Sequence, residues 1–152
     1  MQFRDLNRQY KELKTQIDEG IQEVIDSAAF ISGKQVEELE KKLAEYVGVK
    51  HCVTCANGTD ALSMALMAWN IKEGECVFVP DFTFFASGEV VAFEGATPIF
   101  VDVDENTYNM DPKKLDEAVR KVLAEGKLIP RVIIAVDLFG LPADYDAIRL
   151  VA

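Results

Sequence analysis

The pattern of hydrophobic and polar positions changes near residue 49. From Tyr10 to Ile25 apolar residues recur every three or four positions between charged ones, which predicts an amphipathic helix. A second helix is predicted to follow Ser32, which forms a capping-box pattern with Gln35, and to end at Gly48. Its inward positions are predicted to be Val36, Leu39, Leu43 and Val47. Residues 1–48 are therefore interpreted as an N-terminal helical segment.

Beyond residue 48, short apolar runs alternate with amphipathic ones. The runs predict four strands, at residues 49–56, 76–80, 97–103 and 130–138. Helices are predicted at residues 59–69 and 86–93, from Asp111-Pro112 to Gly126, and from Ala143 onwards. This alternation is typical of an α/β fold in which a mostly parallel sheet lies between two helical layers. Because the chain stops soon after the last helix begins, we expect residues 49–152 to be the first part of a larger domain.

Composition narrows the class of protein. With 49% hydrophobic and 28% charged residues, the 152-residue chain is typical of a soluble globular protein. It has 26 acidic against 16 basic residues, and a net charge of −10 would repel nucleic acid. No apolar stretch is long enough for a membrane span, and the charged N-terminus is unlike a secretory signal. We therefore expect a cytoplasmic protein with neither a nucleic-acid nor a membrane partner.

The cysteines and the single histidine are interpreted as structural. Cys52 and Cys55 would lie on opposite faces of a strand, so they cannot chelate a metal together, and we expect them to be buried. With Cys76 the number of cysteines is odd, which argues against a disulfide framework. His51 precedes the predicted strand, at the end away from the expected ligand cleft. No metal site is predicted.

Three segments follow predicted strands and are expected to meet at one cleft, because ligands bind at the carboxyl ends of such sheets. The first, Asn57-Gly58-Thr59-Asp60, opens a helix, where free N–H groups could hold a phosphate; a simple helix cap is the alternative. The second, residues 81–85, holds three phenylalanines; we expect one ring to face the cleft and at least two to be core. The third is Asp137-Leu138-Phe139-Gly140. Asp102 and Asp104 receive no role.

The order of the segments is more specific than any one motif. The chain contains FISGKQVEELEKKLAEYVGVKHCVTCANGTDAL, VPDFTFFASGEVVAFEGATPIFVDVDENTYNMDP and VDLFGLPADYDAI in that order. In this it resembles the DegT/StrS family of pyridoxal-phosphate (PLP)-dependent nucleotide-sugar aminotransferases. The resemblance implies an aspartate-aminotransferase-like large domain (PLP fold type I) and a homodimer. It also implies transfer of an amino group, commonly from glutamate, to a nucleotide-linked keto-sugar in sugar biosynthesis.

The resemblance also assigns residues. Gly58 and Thr59 match the family's Gly-Thr that holds the cofactor phosphate, with the Asp60 N–H as a further contact. Phe84 matches the aromatic residue that stacks on the pyridine ring. Phe30 matches a position that lines the nucleotide-sugar site. Asp137 stands where many members have histidine, and its role is left open.

Two groups that the family's chemistry needs are absent from the sequence. The Schiff-base lysine and the aspartate that pairs with the ring nitrogen are expected beyond Ala152, so no residue here is named catalytic. We therefore expect this chain alone to be inactive. The alternatives are a truncated, non-catalytic family member that acts as a binding or regulatory module, and another fold-type-I PLP enzyme.

Overall fold

The computed structural model describes residues 4–152. The chain divides into two compact units, the first ending at Thr54 and the second running from Cys55 to Ala152. The domain boundary that the sequence predicts after residue 48 stays a prediction. No helix among residues 4–152 combines the length and apolar character needed to cross a membrane.

The first unit contains two helices, α1 (Leu6–Ser27) and α2 (Lys34–Val47). Both follow the predicted periodicity, and α2 ends at Gly48 in the left-handed conformation, as the sequence predicts. The expected burial of α2 is wrong, because only Ala44 is buried. The four residues predicted to point inward remain between 36% and 66% exposed. Residues 4–54 supply no second apolar layer to cover them.

Gly33, not Ser32, is the N-cap of α2, so the predicted capping box is wrong. Ser32 lies in the left-handed region with φ 48°, and the helix starts one residue later than the motif implies. Gly33 itself has an ordinary φ of −73°. A Cβ at this position would lie 2.7 Å from the carbonyl oxygen of Ala29. Glycine is therefore required here by the close approach of the backbone and not by its conformation.

The predicted strand at residues 49–56 does not form. This segment is irregular, and no strand among the described residues pairs with it. Instead, the N–H and the hydroxyl of Thr54 donate to Glu40 Oε1 at 2.8 and 2.9 Å. These two hydrogen bonds lower the pKa of Glu40. An apolar, β-branched run becomes a strand only where a neighbouring strand accepts its backbone hydrogen bonds.

The second unit contains a three-stranded sheet and four α-helices. The elements are α3 (Gly58–Ala68), β1 (Glu75–Pro80), α4 (Ala86–Phe93), β2 (Thr97–Val101), α5 (Pro112–Glu125), β3 (Ile129–Ile133) and α6 (Tyr145–Val151). The strands lie in the order β2-β1-β3, and both pairings are parallel. The predictions of β1, α4 and α5 are confirmed, whereas β2 and β3 end earlier than predicted. The α/β class and the mostly parallel sheet are confirmed as well.

The sheet is the middle of three layers, because alternate residues of β1 pack against helices on opposite sides. Val77 and Val79 belong to a cluster with α3 and α4 residues. Cys76 and Phe78 belong to a second cluster with residues of α5 and α6. All six residues of β1 are buried, as expected for a central parallel strand. The predicted three-layer architecture is therefore confirmed.

A turn after β2 explains why that strand stops at Val101. Asp104 Oδ1 accepts hydrogen bonds from the backbone N–H groups of Asn106 and Thr107 at 2.9 and 3.0 Å. These bonds lower the pKa of the Asp104 carboxyl. Asp102 Oδ1 accepts from the N–H of Val103 at 2.9 Å. The two carboxylates that had no assigned role thus bond to the backbone of the turn.

Candidate functional site

One cleft of about 610 Å³ opens at the carboxyl ends of the strands in the second unit. Its wall includes residues from all three segments that the sequence places there, so the prediction that they share a cleft is confirmed. The lining residues are Asn57, Gly58, Thr59, Leu62, Thr83, Phe84, Ala86, Ser87, Ile134, Ala135, Val136 and Asp137. The volume lies within the range of small-molecule and cofactor sites, about 300–1,000 Å³.

The N-terminus of α3 brings free hydrogen-bond donors to the cleft. Asn57 is the N-cap, and its Oδ1 accepts from the N–H of Asp60 at 2.9 Å. Its Nδ2 donates to Asp60 Oδ2 at 3.1 Å. The N–H groups of Gly58 and Thr59 donate to no acceptor within residues 4–152. Since the helix dipole makes this end positive, these two N–H groups can bind an anion.

Gly58 leaves open space at this helix end. A Cβ built on Gly58 would have no atom within 4 Å, and its φ is outside the left-handed region. Neither packing nor backbone conformation in this chain therefore requires glycine at position 58. The open space allows a ligand to approach the backbone closely, which a side chain would obstruct.

The loop after β1 contributes an exposed aromatic ring. Phe84 lines the cleft and is 78% exposed, so the expectation that one ring faces the cleft is confirmed. The expectation that at least two of the three phenylalanines are core is wrong. Phe82 packs against Tyr108, with ring centroids 5.8 Å apart, yet is half-exposed, and Phe85 is 75% exposed. The buried part of α4 starts only at Ala86, after all three rings.

Asp137 is the one ionisable residue among those that line the cleft. Its Oδ1 accepts from the N–H of Ala143 at 2.9 Å and from the Tyr145 hydroxyl at 2.8 Å. On the loop after β1, Thr83 Oγ1 and Ser87 Oγ are 3.1 Å apart and share a hydrogen bond. The cleft thus offers a mainly apolar wall with a few hydroxyls and one carboxylate. The structure gives Asp137 a role that the sequence left open, which is to anchor the start of α6.

The Tyr145–Asp137 hydrogen bond predicts a loss of stability at alkaline pH. The bond, with partial burial, raises the pKa of Tyr145 above its usual value near 10. Because the folded-state pKa is raised, this contribution is complete below the unfolded pKa and is lost as pH rises through the folded pKa. We expect the free energy of unfolding to fall more between pH 9 and pH 11 (roughly one unit either side of tyrosine's usual pKa) in the parent protein than in Tyr145→Phe. Denaturant titrations across that range measure the difference, and identical profiles would contradict the prediction.

The remaining sequence candidates lie elsewhere. Phe30 is in the first unit, on the loop between α1 and α2, and is 69% exposed. Cys55 is exposed and Cys52 half-buried, so the expected burial of this pair is wrong, because the strand that was predicted to carry both does not form. His51 is exposed. Among residues 4–152 no group of three histidines, cysteines or carboxylates is placed to hold a metal.

Sequence reasoning missed Asn109, which no motif marks. Its side chain is only 5% exposed and bonds to three backbone groups between residues 138 and 142. It also missed the apolar wall formed by residues 134–136, which follow the shortened β3. The first could not be found because its partners are about thirty positions away, with sequence separations of 29 to 33. The apolar wall could not be predicted because it depends on β3 ending at Ile133, before the apolar run itself ends.

The chain has clear relatives of known kind. The model of the DegT/DnrJ/EryC1/StrS aminotransferase family matches residues 11–152. The chain is 44% identical to UDP-2-acetamido-2-deoxy-3-oxo-D-glucuronate aminotransferase of Pseudomonas aeruginosa, covering 100% of this chain and 40% of that protein. A crystal structure of a DegT DnrJ EryC1 StrS aminotransferase from Brucella abortus is 49% identical with a TM-score of 0.96, covering 100% of this chain and 41% of that one. DesV of S. venezuelae, solved in complex with a ketimine intermediate, is 35% identical with a TM-score of 0.88 and coverages of 97% and 38%. The chain spans about 40% of the length of these relatives.

Proposed function

Because the chain belongs to the DegT/DnrJ/EryC1/StrS aminotransferase family, we propose that it is part of an enzyme that transfers an amino group to a nucleotide-linked keto-sugar. PLP is the proposed cofactor and glutamate the proposed amino donor. The proposal concerns the complete protein, since the chain spans about 40% of the relatives it matches. Its substrate class is supported by the P. aeruginosa relative, which is named for a UDP-linked oxo-sugar.

The N-terminus of α3 fits the phosphate of PLP. The N–H groups of Gly58 and Thr59 are unpaired within residues 4–152, and a Cβ at Gly58 would touch nothing. A phosphate at this position would accept hydrogen bonds from both N–H groups and from the Thr59 hydroxyl. The positive end of the helix dipole would favour its negative charge. The Asp60 N–H, which the family resemblance assigns to the phosphate as well, donates to Asn57 Oδ1. For the Asp60 N–H to bind the phosphate, its hydrogen bond to Asn57 Oδ1 must break or become bifurcated.

The other walls of the cleft fit a planar ring. Phe84 presents an exposed ring within the same cleft, where stacking on a pyridine ring would cover both apolar surfaces. Ile134, Ala135 and Val136 supply an apolar surface that keeps water from a bound ring. The observation that carries the proposal is this combination in one cleft of free N–H donors, open space and an uncovered aromatic ring.

When bound, PLP would supply an electron sink for the chemistry of amino transfer, and this chain's residues would bind and orient it.

The remaining parts of the proposal concern groups outside the cleft. The resemblance places the lysine that would hold the cofactor and the aspartate for its ring nitrogen outside residues 1–152, so we propose that these residues alone do not catalyse amino transfer. Phe30 is proposed to line the nucleotide-sugar site and the complete protein to be a homodimer.

The test uses the product of the complete reading frame. We expect it to bind PLP, to show a change in the cofactor's visible absorbance with L-glutamate, and to aminate at least one member of a panel of nucleotide-linked keto-sugars. Failure to bind PLP would contradict the proposed function. PLP binding without an absorbance change on addition of glutamate would contradict only the proposal that glutamate is the amino donor. Amination of simple 2-oxo acids but of no nucleotide-linked sugar would indicate another fold-type-I enzyme.

A further inference from the structure

Asn109, at the end of the turn that follows β2, forms hydrogen bonds with the segment that comes directly after one wall of the cleft. Its Nδ2 donates to the carbonyl oxygens of Leu141 and Pro142 at 3.0 and 3.1 Å. Its Oδ1 accepts from the N–H of Leu138 at 3.2 Å. The side chain is almost completely buried, so these bonds form where water is excluded. Both ends of one amide are therefore used to hold a single segment, residues 138–142.

The other hydrogen bonds within this segment are local: the N–H of Gly140 donates to the carbonyl of Asp137 and that of Leu141 to the carbonyl of Leu138, both at 3.1 Å. The segment follows the last hydrogen bond of the sheet edge, from the N–H of Ile134 to the carbonyl of Phe78. It contains a short 3-10 turn in which Phe139 and Gly140 both have positive φ, 55° and 85°. A positive φ is unfavourable for phenylalanine, so the turn persists only where other contacts hold it. Asn109 provides such contacts at both ends of the turn.

The turn directly follows the cleft wall. Asp137 lines the cleft and precedes Leu138, the residue whose N–H is bonded to Asn109. Asp137 is in turn bonded to the N–H of Ala143, one residue after Pro142. Asn109 and Asp137 thus close the same loop from two sides. A shift of residues 138–142 would move Asp137 and with it the wall formed by residues 134–137.

We propose that Asn109 is a positioning residue for the cofactor cleft, which acts through residues 138–142 to hold Asp137 and the wall after β3 in place. The proposal rests on the proposed function for the identity of the ligand, PLP. Asn109 itself does not line the cleft. The role needs an amide: aspartate keeps the acceptor for Leu138 but cannot donate to two carbonyl groups, and leucine keeps only the size.

The experiment compares Asn109→Asp and Asn109→Leu with Leu115→Ala in the product of the complete reading frame. Leu115 is fully buried between α5 and the sheet and does not line the cleft, so its truncation lowers stability while every hydrogen-bonding group of Asn109 and residues 138–142 is kept. The dissociation constant of PLP and the thermal midpoint are measured for each variant. We expect both Asn109 variants to bind PLP about tenfold more weakly or worse, and Leu115→Ala to bind it as the parent does despite a lower thermal midpoint.

A second readout needs no cofactor. Hydrogen exchange of the Leu138 amide reports on the bond to Asn109, and we expect faster exchange in Asn109→Leu but not in Leu115→Ala. If the Asn109 variants lose stability yet bind PLP as tightly as Leu115→Ala, the positioning role is wrong and the proposed function stands. If the parent protein itself binds no PLP, the proposed function fails and the positioning role fails with it.

Discussion

Replacing Gly58 with aspartate is expected to abolish cofactor binding by the complete protein without weakening its fold. No atom lies within 4 Å of a Cβ at this position, so the fold accepts a side chain there. An acidic residue in the first turn of α3 also favours the helix dipole, by about 0.3–1 kcal/mol. The same carboxylate would stand where the phosphate is proposed to bind. Two unit charges about 4 Å apart near a protein surface repel by about 4 kcal/mol, which is about a thousandfold in affinity.

Gly58→Ala is the matched control, since it adds the Cβ without the charge. We expect it to keep the fold and to weaken PLP binding less than the aspartate does, because a methyl group obstructs the phosphate but does not repel it. Equilibrium titration with PLP and thermal unfolding, run on the same preparations, separate the two effects. Tight PLP binding by Gly58→Asp would show that the phosphate does not lie at the N-terminus of α3. A misfolded variant would show that the open space is needed by the chain itself.

Replacing Phe78 with alanine is expected to cost about 3–5 kcal/mol of unfolding free energy, the largest effect on stability that the structure predicts. Phe78 lies at 1% exposure in the central strand, where it is the partner of Ile99 in β2 and Ile133 in β3. Its ring belongs to the core cluster that contains Leu115 and Met110. Truncation removes apolar contacts with both neighbouring strands and with α5 and α6. The backbone of a strand that is paired on both sides cannot move to fill the cavity.

Phe100→Ala is the control for Phe78→Ala. Phe100 is the same residue type in the neighbouring strand, but its ring is 61% exposed and its Cα is paired with Val79. Exposed positions usually change stability by about 0.5 kcal/mol or less. The Phe100 ring also packs close to Gly88 of α4, so we expect a loss above that value but well below that of Phe78→Ala. Denaturant unfolding of both variants gives the comparison. Equal losses would mean that the cluster on the α5 side of the sheet is not the main apolar core.

Elements whose signals are local could be predicted from the sequence. The run from Cys76 to Pro80 is apolar throughout and becomes the central strand. Asp111 caps α5, since its Oδ1 accepts a hydrogen bond from the N–H of Lys113, and Gly126 ends the helix with a φ of 62°. The hydrogen bonds of these caps lie within a few residues of each other, so a short motif contains the whole interaction.

Features that depend on distant partners could not be predicted. Residues 49–56 have the composition of a strand but no strand to pair with among residues 4–152, and β3 ends at Ile133 although apolar residues continue to Val136. In the candidate site, the Gly58-Thr59 pair was visible as a helix start, but the bond that occupies the Asp60 N–H depends on the orientation of the Asn57 side chain. The exposure of Phe82, Phe84 and Phe85 depends on where α4 begins, which composition alone does not specify.

The strand order β2-β1-β3 has a consequence for the route by which the second unit folds. Strand β2 follows β1 closely in the chain, whereas β3 lies beyond α5. Loop closure costs more entropy as the loop lengthens, so β1 and β2 with α4 between them can form an early nucleus, and β3 adds to the other edge of β1 after them. Residues 134–137, which follow β3, reach the cleft only in that later step. A ligand that needs this wall therefore binds only after β3 has paired with β1, and its binding would protect β3 against local unfolding.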